Sequence, residues 1–360
     1  STPVTASTFL IQGNTNGGTT IKTSGSGSIS VLGDAHNVSA STGSVWGIEV
    51  RKVNFQTENG DITLHGIGGY NSGNSRGIAL DNATATSFLS ASGTITFIDE
   101  KPSNAAAGWA GYRGLYFGNA ITIGADGTLV PSSTSNVVIQ ADALSFVTPT
   151  SAINTTGTVV IEPVGASFTS AVSTANLAMN GIGNLRIGKA GNTAAIGLDR
   201  ALTVAGDVTV YGGNVNGAYG ISLSNGYTLT VDNSGSSSVL SGVISGTGVN
   251  LSKLGAGVLT LTGNNTYTGG TSIDTVSTLV AGNAATSGVL GTGAITNNGV
   301  LSFKRSDAIT VADVISGTGI VKQEGAGTLT LSGTNAYEGG TQVNAGTLAI
   351  STDRNVGAVP

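Results

Sequence analysis

Apolar and polar residues alternate in short runs along most of the chain, and the runs end at Gly, Asn, Asp or Ser. Alternation with a period of two over about four to eight residues is typical of a β-strand with one buried face. The best helical candidate, "STANLAMNGI" (173–182), is interrupted by Asn and Gly. The pattern therefore predicts an all-β protein. The clearest runs are "GTITFID" (93–99), "GTVVIEP" (157–163), "ALTVAGDVTVYGG" (201–213), "GISLSNGYTLTV" (220–231), "GVLTLTG" (257–263) and "GTLTLSG" (327–333).

A long segment near the end of the chain occurs twice. "VISGTG" stands at 243–248 and again at 314–319, and "GAG" follows at Gly255 and at Gly325. Both copies continue with "LTL", a Tyr, "GGT" and a closing "TL", and residues 291–313 between them hold three further strand-like runs. A compact sandwich has no reason to repeat over such a distance, whereas each coil of a solenoid has to match its neighbours. The repeat predicts about three coils of twenty-odd residues in a right-handed parallel β-helix.

The composition agrees with stacked coils and excludes several other classes. Glycine makes up 57 of the 360 residues and charged residues only 9%, because corners need left-handed backbone and like charges on stacked coils repel. No apolar run has the ~20 residues that a membrane-spanning helix needs. The net charge of -5 and the 39% of hydrophobic residues argue against disorder and against nucleic acid as a partner. The chain has no Cys, which is compatible with export if the core is continuous.

The two copies, 243–281 and 314–350, resemble the passenger-associated transport repeat of autotransporters. The final residues, 350–360, resemble the start of a further repeat. Residues 121–146 and 153–168 resemble coils of filamentous-haemagglutinin-like adhesins, although the "NPNG" signature of two-partner secretion is missing. The absence of that signature favours the single-chain autotransporter route.

The resemblance implies a passenger fragment at the bacterial cell surface, anchored in the outer membrane or secreted. Export would use a C-terminal β-barrel, which we expect to lie outside these 360 residues and to be the chain's one connection to a membrane. The repeats would assist folding during export. The implied partners are a host or cell-surface receptor, a glycan, or another passenger, and we expect no cofactor.

We expect one continuous β-helix in which the type of repeat changes near residue 240. Residues 1–240 form the irregular segment, and residues 241–360 form the segment with the two transport repeats. A loop or small excursion is expected near 99–118, because "EKPSNAAAG" (100–108) breaks the alternation. Independent domains are not expected, since each coil shares its core with the next.

The stretch "GWAGYRGLYFG" (108–118) is the most concentrated group of aromatic residues. Aromatic rings with a polar tip and a nearby Arg can stack on sugar rings or dock a partner. Our candidate ligand-binding residues are therefore Trp109, Tyr112, Arg113 and Tyr116. The alternative is that this segment covers the core, with Leu115 and Phe117 inside.

Charged residues are spread thinly, and their nearest clusters give no catalytic motif. Glu49 and Arg51, and likewise Asp99 and Lys101, share a strand face, and we expect both to be solvated surface pairs. The two His residues, His36 and His65, are isolated, whereas a metal site needs several converging ligands. We therefore expect no enzyme active site and no metal site.

Outward Thr, Ser, Asn and Asp recur along the predicted coils and would form polar rows. Many weak hydrogen bonds along such a row can add up through multivalency, but the same residues suit a merely soluble face. The leading hypothesis is a non-enzymatic adhesin passenger that mediates attachment or cell–cell aggregation. The alternatives are a glycan-processing enzyme on the same scaffold and a toxin-type passenger.

Overall fold

The computed structural model describes residues 6–12, 19–36, 39–40, 44–71, 74–80, 86–102, 112–118, 120–147, 150–235 and 237–357. The chain divides into two compact units, Ser1–Ala194 (unit 1) and Ala195–Pro360 (unit 2). Within the described ranges there is no α-helix, and one 3₁₀ turn covers Asp353–Val356. None of the described segments forms a helix long and apolar enough to cross a lipid bilayer.

The described residues of unit 1 form twenty short strands. They are β1 (Ala6–Gln12), β2 (Thr19–Lys22), β3 (Ile29–Asp34), β4 (Ser39–Ala40), β5 (Ser44–Arg51), β6 (Val53–Thr57), β7 (Ile62–Ile67), β8 (Tyr70–Asn71), β9 (Asn74–Leu80), β10 (Thr86–Ser90), β11 (Thr94–Glu100), β12 (Leu115–Phe117), β13 (Ile121–Gly124), β14 (Asn136–Ala141), β15 (Leu144–Phe146), β16 (Ser151–Asn154), β17 (Thr158–Glu162), β18 (Val172–Ser173), β19 (Leu177–Asn180) and β20 (Asn184–Ile187).

Most strands of unit 1 pair in parallel in three sheets, and β4 and β8 form a separate parallel pair. Sheet A runs β1-β5-β9-β12-β15, sheet B runs β2-β6-β10-β13-β16-β19, and sheet C contains β3-β7-β11-β14-β17-β20. Inward residues stack in register from coil to coil, as Ile29, Ile62 and Ile95 do. In sheet C, partners in the first coils lie 33 residues apart, those on β11 and β14 lie 42 apart, and those in later coils lie 22 to 26 apart.

In the part of unit 2 that the structure describes there are twenty-one strands, most of three or four residues. They are β21 (Ile196–Gly197), β22 (Leu202–Val204), β23 (Val208–Gly212), β24 (Val215–Gly217), β25 (Ile221–Leu223), β26 (Thr228–Asn233), β27 (Ser238–Leu240), β28 (Ile244–Ser245), β29 (Asn250–Leu254), β30 (Val258–Leu261), β31 (Thr271–Ile273), β32 (Thr278–Ala281), β33 (Ile295–Asn297), β34 (Val300–Phe303), β35 (Ile309–Val311), β36 (Ile315–Gly317), β37 (Ile320–Gln323), β38 (Thr328–Leu331), β39 (Ala336–Tyr337), β40 (Thr341–Val343) and β41 (Thr347–Ala349).

Unit 2 also winds through three parallel sheets. Sheet D contains β23-β26-β29-β31-β33-β36-β39, and sheet E contains β21-β24-β27-β30-β32-β34-β37-β40. Sheet F comes in two runs, β22-β25-β28 and β35-β38-β41, and between the runs an isolated bridge joins Asn264 to Val289. Residues in register from one coil to the next lie 19 to 24 positions apart, which agrees with the predicted coil length.

The two copies of the repeat in unit 2 are turned by one sheet relative to each other. After β29, the chain passes through sheet D three more times, at β31, β33 and β36. The strand that occupies the position of β29 in the second copy of the repeat is β37, and it lies in sheet E. Likewise β30 lies in sheet E and its equivalent β38 in sheet F. One repeat therefore covers three complete coils and the step from one sheet to the next, whereas the sequence predicted about three coils.

The shared residues of the repeat are explained by contacts inside the stack. Tyr267 and Tyr337 are fully buried, and their hydroxyls hydrogen-bond Thr271 at 2.8 Å and Thr341 at 2.5 Å. A Cβ at Gly269 would lie 2.5 Å from the carbonyl oxygen of Val249 in the coil before. The motif Tyr-x-Gly-Gly-Thr thus combines a core aromatic, a partner for its hydroxyl and a close backbone approach.

The prediction of an all-β solenoid of parallel strands is confirmed, and all six quoted alternating runs form strands. The right-handed winding and the change of repeat type near residue 240 stay predictions. The expectation of solvated surface pairs is wrong for two carboxylates, because Glu49 and Asp99 are 2% and 1% exposed. Asp99 continues the inward positions of β11, and Glu49 lies on β5 between the buried residues Ile48 and Val50.

Candidate functional site

The predicted aromatic site lies partly outside the described residues, which exclude Trp109. Arg113 is exposed, and Tyr112 and Tyr116 are half-buried. Leu115 and Phe117, on the same strand β12 as Tyr116, are fully buried. Of the four candidate residues, the structure thus offers Arg113 and the outer part of Tyr116 to solvent.

Tyr112 is anchored to a buried carboxylate. Its hydroxyl donates to Asp99 Oδ1, and the backbone N–H of Ile78 donates to Asp99 Oδ2 at 2.6 Å. Burial raises the pKa of Asp99 to about 7, although both hydrogen bonds favour the charged form. Burial also raises the pKa of Tyr112 well above its ordinary value, and the nearby Asp99 adds to the effect. Tyr112 is therefore a structural anchor of unit 1 as well as a candidate ligand-binding residue.

Tyr116 carries a cation on its ring. The guanidinium carbon of Arg76 lies 4.1 Å from the centroid of the Tyr116 ring, within the range of a cation–π interaction. The two strands concerned, β9 and β12, are neighbours in sheet A. Together with exposed Arg113, this pair presents positive charge and an aromatic ring on one part of unit 1.

Several other ionisable residues of unit 1 form local pairs. Glu49 contacts Arg51, His36 Nδ1 lies 2.5 Å from Asp34 Oδ1, and His65 Nε2 lies 3.3 Å from Glu100 Oε1. Among the described residues there is no group of three or more His, Asp or Glu side chains that could hold a metal ion.

The most regular outward feature of unit 2 is a row of hydroxyls on sheet D, which we call the hydroxyl row. Its members are in register on five successive coils and are half-buried or exposed. None of their hydroxyls hydrogen-bonds another residue in the described part of the chain, so they are available to a partner or to water. The hydroxyl row consists of Thr209, Thr230, Ser252, Ser272 and Thr296.

The hydroxyl row lies in a shallow, open groove of about 590 Å³. One edge is fixed by side-chain oxygens that accept backbone N–H groups of the following coil: Asp207 Oδ1 from Thr228 at 2.8 Å, and Asn250 Oδ1 from Gly270 at 2.8 Å. Asp207 is the one charged residue among those lining the groove. The groove thus offers hydroxyls at the ~4.8 Å spacing of the strands and little net charge.

The sequence predicted that outward polar residues form rows, but not which residues make up the hydroxyl row. The alternating runs "DVTV", "TLTV" and "NLSK" mark Thr209, Thr230 and Ser252 as outward. Their alignment depends on coil lengths of 20 to 24 residues, which a single sequence does not fix. Asp99 could have been found, because it continues the inward series Ile95 and Phe97.

Comparison with known proteins identifies the repeated segments. The family profile described as passenger-associated-transport-repeat matches residues 251–275 and 322–350. These segments are passenger-associated transport repeats. The match supports the sequence-based prediction of an autotransporter passenger, and with it a location at the cell surface, either anchored in the outer membrane or secreted.

One curated relative is similar over a short stretch. The Adhesin BmaC autotransporter of Brucella suis biovar 1 (strain 1330) is 46% identical over 48 residues, which are 13% of this chain and 1% of that protein. The chain therefore spans a small fraction of the length of this relative. No solved structure matches.

Proposed function

We propose that this passenger segment is a non-enzymatic adhesin that mediates attachment to another surface or aggregation of cells. The observation that carries the proposal is the hydroxyl row, five aligned hydroxyls without an internal partner in an open groove. Hydrogen bonds from such a row are individually weak, but a long partner engages many of them together. The similarity to a protein named as an adhesin supports the same function.

The test is a settling and attachment assay with bacteria that display the complete passenger. Removing four hydroxyls of the hydroxyl row, while keeping side-chain volume, should abolish most of the clumping or attachment. The matched control removes four outward hydroxyls from sheet F, and it should behave like the unchanged passenger. Equal adhesion by the two variants would contradict the proposal. The test variant is Thr230→Val, Ser252→Ala, Ser272→Ala and Thr296→Val, and the control variant is Thr203→Val, Ser222→Ala, Ser245→Ala and Thr310→Val.

We propose a second contact surface in unit 1 around Trp109, Tyr112, Arg113 and Tyr116, with a glycan or an acidic partner as its ligand. The support for it is the stacked pair of Arg76 and Tyr116 beside exposed Arg113. Changing Arg113 to Ala should weaken binding of bacteria to a glycan-coated surface. Lys22→Ala is the control, because Lys22 is an exposed cation of unit 1 on β2 of sheet B, outside this surface. Unchanged binding by Arg113→Ala would exclude this surface.

We further propose that the transport repeats assist folding during export. The support is their stacking, since each repeat places buried residues directly on the coils before and after it. Deleting residues 243–313, one repeat period, should lower the amount of passenger at the cell surface while its synthesis is unchanged. Equal surface amounts would contradict this role.

A further inference from the structure

Asn265 is a buried side chain that joins three successive coils of unit 2. It is 5% exposed. Its Oδ1 accepts the backbone N–H of Ile244 at 2.8 Å, 21 residues earlier. Its Nδ2 donates to the carbonyl oxygen of Val289 at 2.7 Å, 24 residues later. One carboxamide therefore satisfies a donor in the coil before and an acceptor in the coil after.

Asn335 does the same in the second copy of the repeat. It is 6% exposed, its Oδ1 accepts the N–H of Ile315 at 2.8 Å, and its Nδ2 donates to the carbonyl oxygen of Asn355 at 2.6 Å. The two Asn residues occupy equivalent positions, two residues before Tyr267 and Tyr337. Because both Asn residues accept an N–H from the coil before and donate to a carbonyl oxygen in the coil after, the arrangement is a feature of the repeat.

Asn265 acts where the backbone ladder is interrupted. Strand β28 is the last of the first run of sheet F, and the second run begins at β35. Between them the structure describes no strand of sheet F, and the coils there are joined by the Asn264–Val289 bridge and by separate backbone hydrogen bonds such as that from the N–H of Thr266 to the carbonyl oxygen of Ile244 at 2.9 Å. Unpaired buried N–H and C=O groups are costly, so the side chain of Asn265 replaces ladder bonds that this stretch lacks.

We infer that Asn265 and Asn335 are coil-coupling residues, positioning side chains that lock each transport repeat to the coil before it and the coil after it. Because the copies are turned by one sheet, Asn265 couples coils beside sheet F and Asn335 couples them beside sheet D, immediately before β39. Successive repeats thus secure different sides of the coil stack. This role goes beyond the proposed adhesion and does not depend on it.

The test is amide hydrogen exchange of the whole 360-residue chain, read segment by segment. In Asn265→Ala, the protection of backbone amides against exchange should fall roughly tenfold to a hundredfold on both flanks, at 238–247 and at 286–292. The variant leaves one buried backbone group without a partner on each side, which favours local unfolding there. In Asn335→Ala, the loss should move to 309–317 and 350–357. Asn250→Ala is the matched control. The side chain of Asn250 accepts one N–H, that of Gly270 in the following coil, so this variant should lower amide protection only around Gly270.

Asn265→Asp separates coupling from simple space filling. It has nearly the same shape and keeps an acceptor for Ile244, but an ionised carboxylate has no donor for Val289. The flank at 286–292 should lose protection while the Ile244 amide stays protected. This variant also carries the test if Asn265→Ala does not fold.

Two results would overturn the inference. One is a loss confined to a single flank in Asn265→Ala, which would match the control. The other is an equal loss on both flanks in Asn265→Asp. Both measurements are made on the isolated chain, so they do not depend on whether the passenger binds a partner.

Discussion

At the scale of single residues, several buried polar groups serve the turns of the coils. Lys253 and Gln323 hold the same position before the two "GAG" turns, and both lie on the inward row. Lys253 Nζ donates to the carbonyl oxygens of Leu254 at 2.5 Å and Gly255 at 2.9 Å, and Gln323 Nε2 donates to those of Gly325 and Gly327, each at 2.9 Å. Burial lowers the pKa of Lys253 to about 8. A buried polar side chain is thus tolerated at this position because it donates hydrogen bonds to backbone carbonyl groups of the turn.

Asp99 should make the stability of unit 1 depend on pH. Its pKa is about 7 when folded, against an ordinary value of 3.8. The stabilisation is therefore complete below pH 3.8 and is lost as pH rises through 7. We expect the free energy of unfolding to fall by up to roughly 4 kcal/mol between these values, and Asp99→Asn to remove this fall. Urea unfolding at several pH values measures it.

Tyr112→Phe provides the control for that prediction. It removes a hydrogen bond to the charged form of Asp99, so the folded-state pKa of Asp99 should rise further. The decline in stability should still begin near pH 3.8 but should continue to higher pH and be larger. A pH profile of Asp99→Asn that matches the unchanged protein would contradict the buried, proton-binding role of this carboxyl.

Gly269 should not tolerate a side chain. Its Cβ would lie 2.5 Å from the carbonyl oxygen of Val249, whereas a Cβ at Gly220 has its nearest neighbour at 3.5 Å. Gly269→Ala should lower the free energy of unfolding by about 1–3 kcal/mol through overpacking. Gly220→Ala should change it by less than about 1 kcal/mol. Thermal unfolding compares the two, and equal effects would show that coils approach less closely than described.

At the scale of elements, the strands are too short to be stable alone and are held by rows of like residues across coils. In unit 1 the centroids of Phe55 and Phe88 lie 5.0 Å apart with nearly parallel rings, and Phe97, Phe117 and Phe146 extend the series. These residues come from sheets A, B and C. The aromatic series therefore ties the three sheets to one core.

Phe88 lies in the middle of this series and is fully buried. Phe88→Ala should lower the free energy of unfolding of unit 1 by about 3–5 kcal/mol, as for other buried Phe residues. Phe146, which is half-buried at the end of the series, is the comparison site, and its change to Ala should cost clearly less. Calorimetry that found equal costs would contradict a continuous aromatic core.

Alternation in the sequence predicted most of these elements, since its period of two marks one buried face. It did not predict the coil lengths of unit 1, where partners lie 33 residues apart in the first coils. Nor did we predict the two buried carboxylates. Asp99 continues the inward series of Ile95 and Phe97 and could have been found, whereas Glu49 alternates with Ile48 and Val50, which are themselves buried. Hydrogen-bond partners from other coils, such as Ile78 for Asp99, appear only after the chain is wound.

At the scale of the whole molecule, two compact units share one principle, parallel strands that return to the same sheet after each coil. Unit 2 holds both transport repeats, and their identical residues concentrate at buried or closely packed positions such as Leu259, Leu329 and the two Tyr residues. The repeat is thus maintained by contacts between coils. The hydroxyl row, in contrast, draws on residues inside and outside the repeats.

Disulfide formation between introduced cysteines tests the winding of the repeats most directly, because the chain has no Cys of its own. Ser245 and Ser316 are equivalent residues, but Ser245 is in register with Ser222 on sheet F and Ser316 with Thr296 on sheet D. Adjacent parallel strands lie ~4.8 Å apart, within the span of a disulfide. Ser222→Cys with Ser245→Cys, and Thr296→Cys with Ser316→Cys, should therefore both cross-link on mild oxidation. The pair Ser252→Cys with Thr260→Cys is closer in sequence, but its residues lie on sheets D and E, and it should not cross-link. A cross-link in this pair together with none in the other two would contradict a parallel coil stack in which the second copy of the repeat is turned by one sheet.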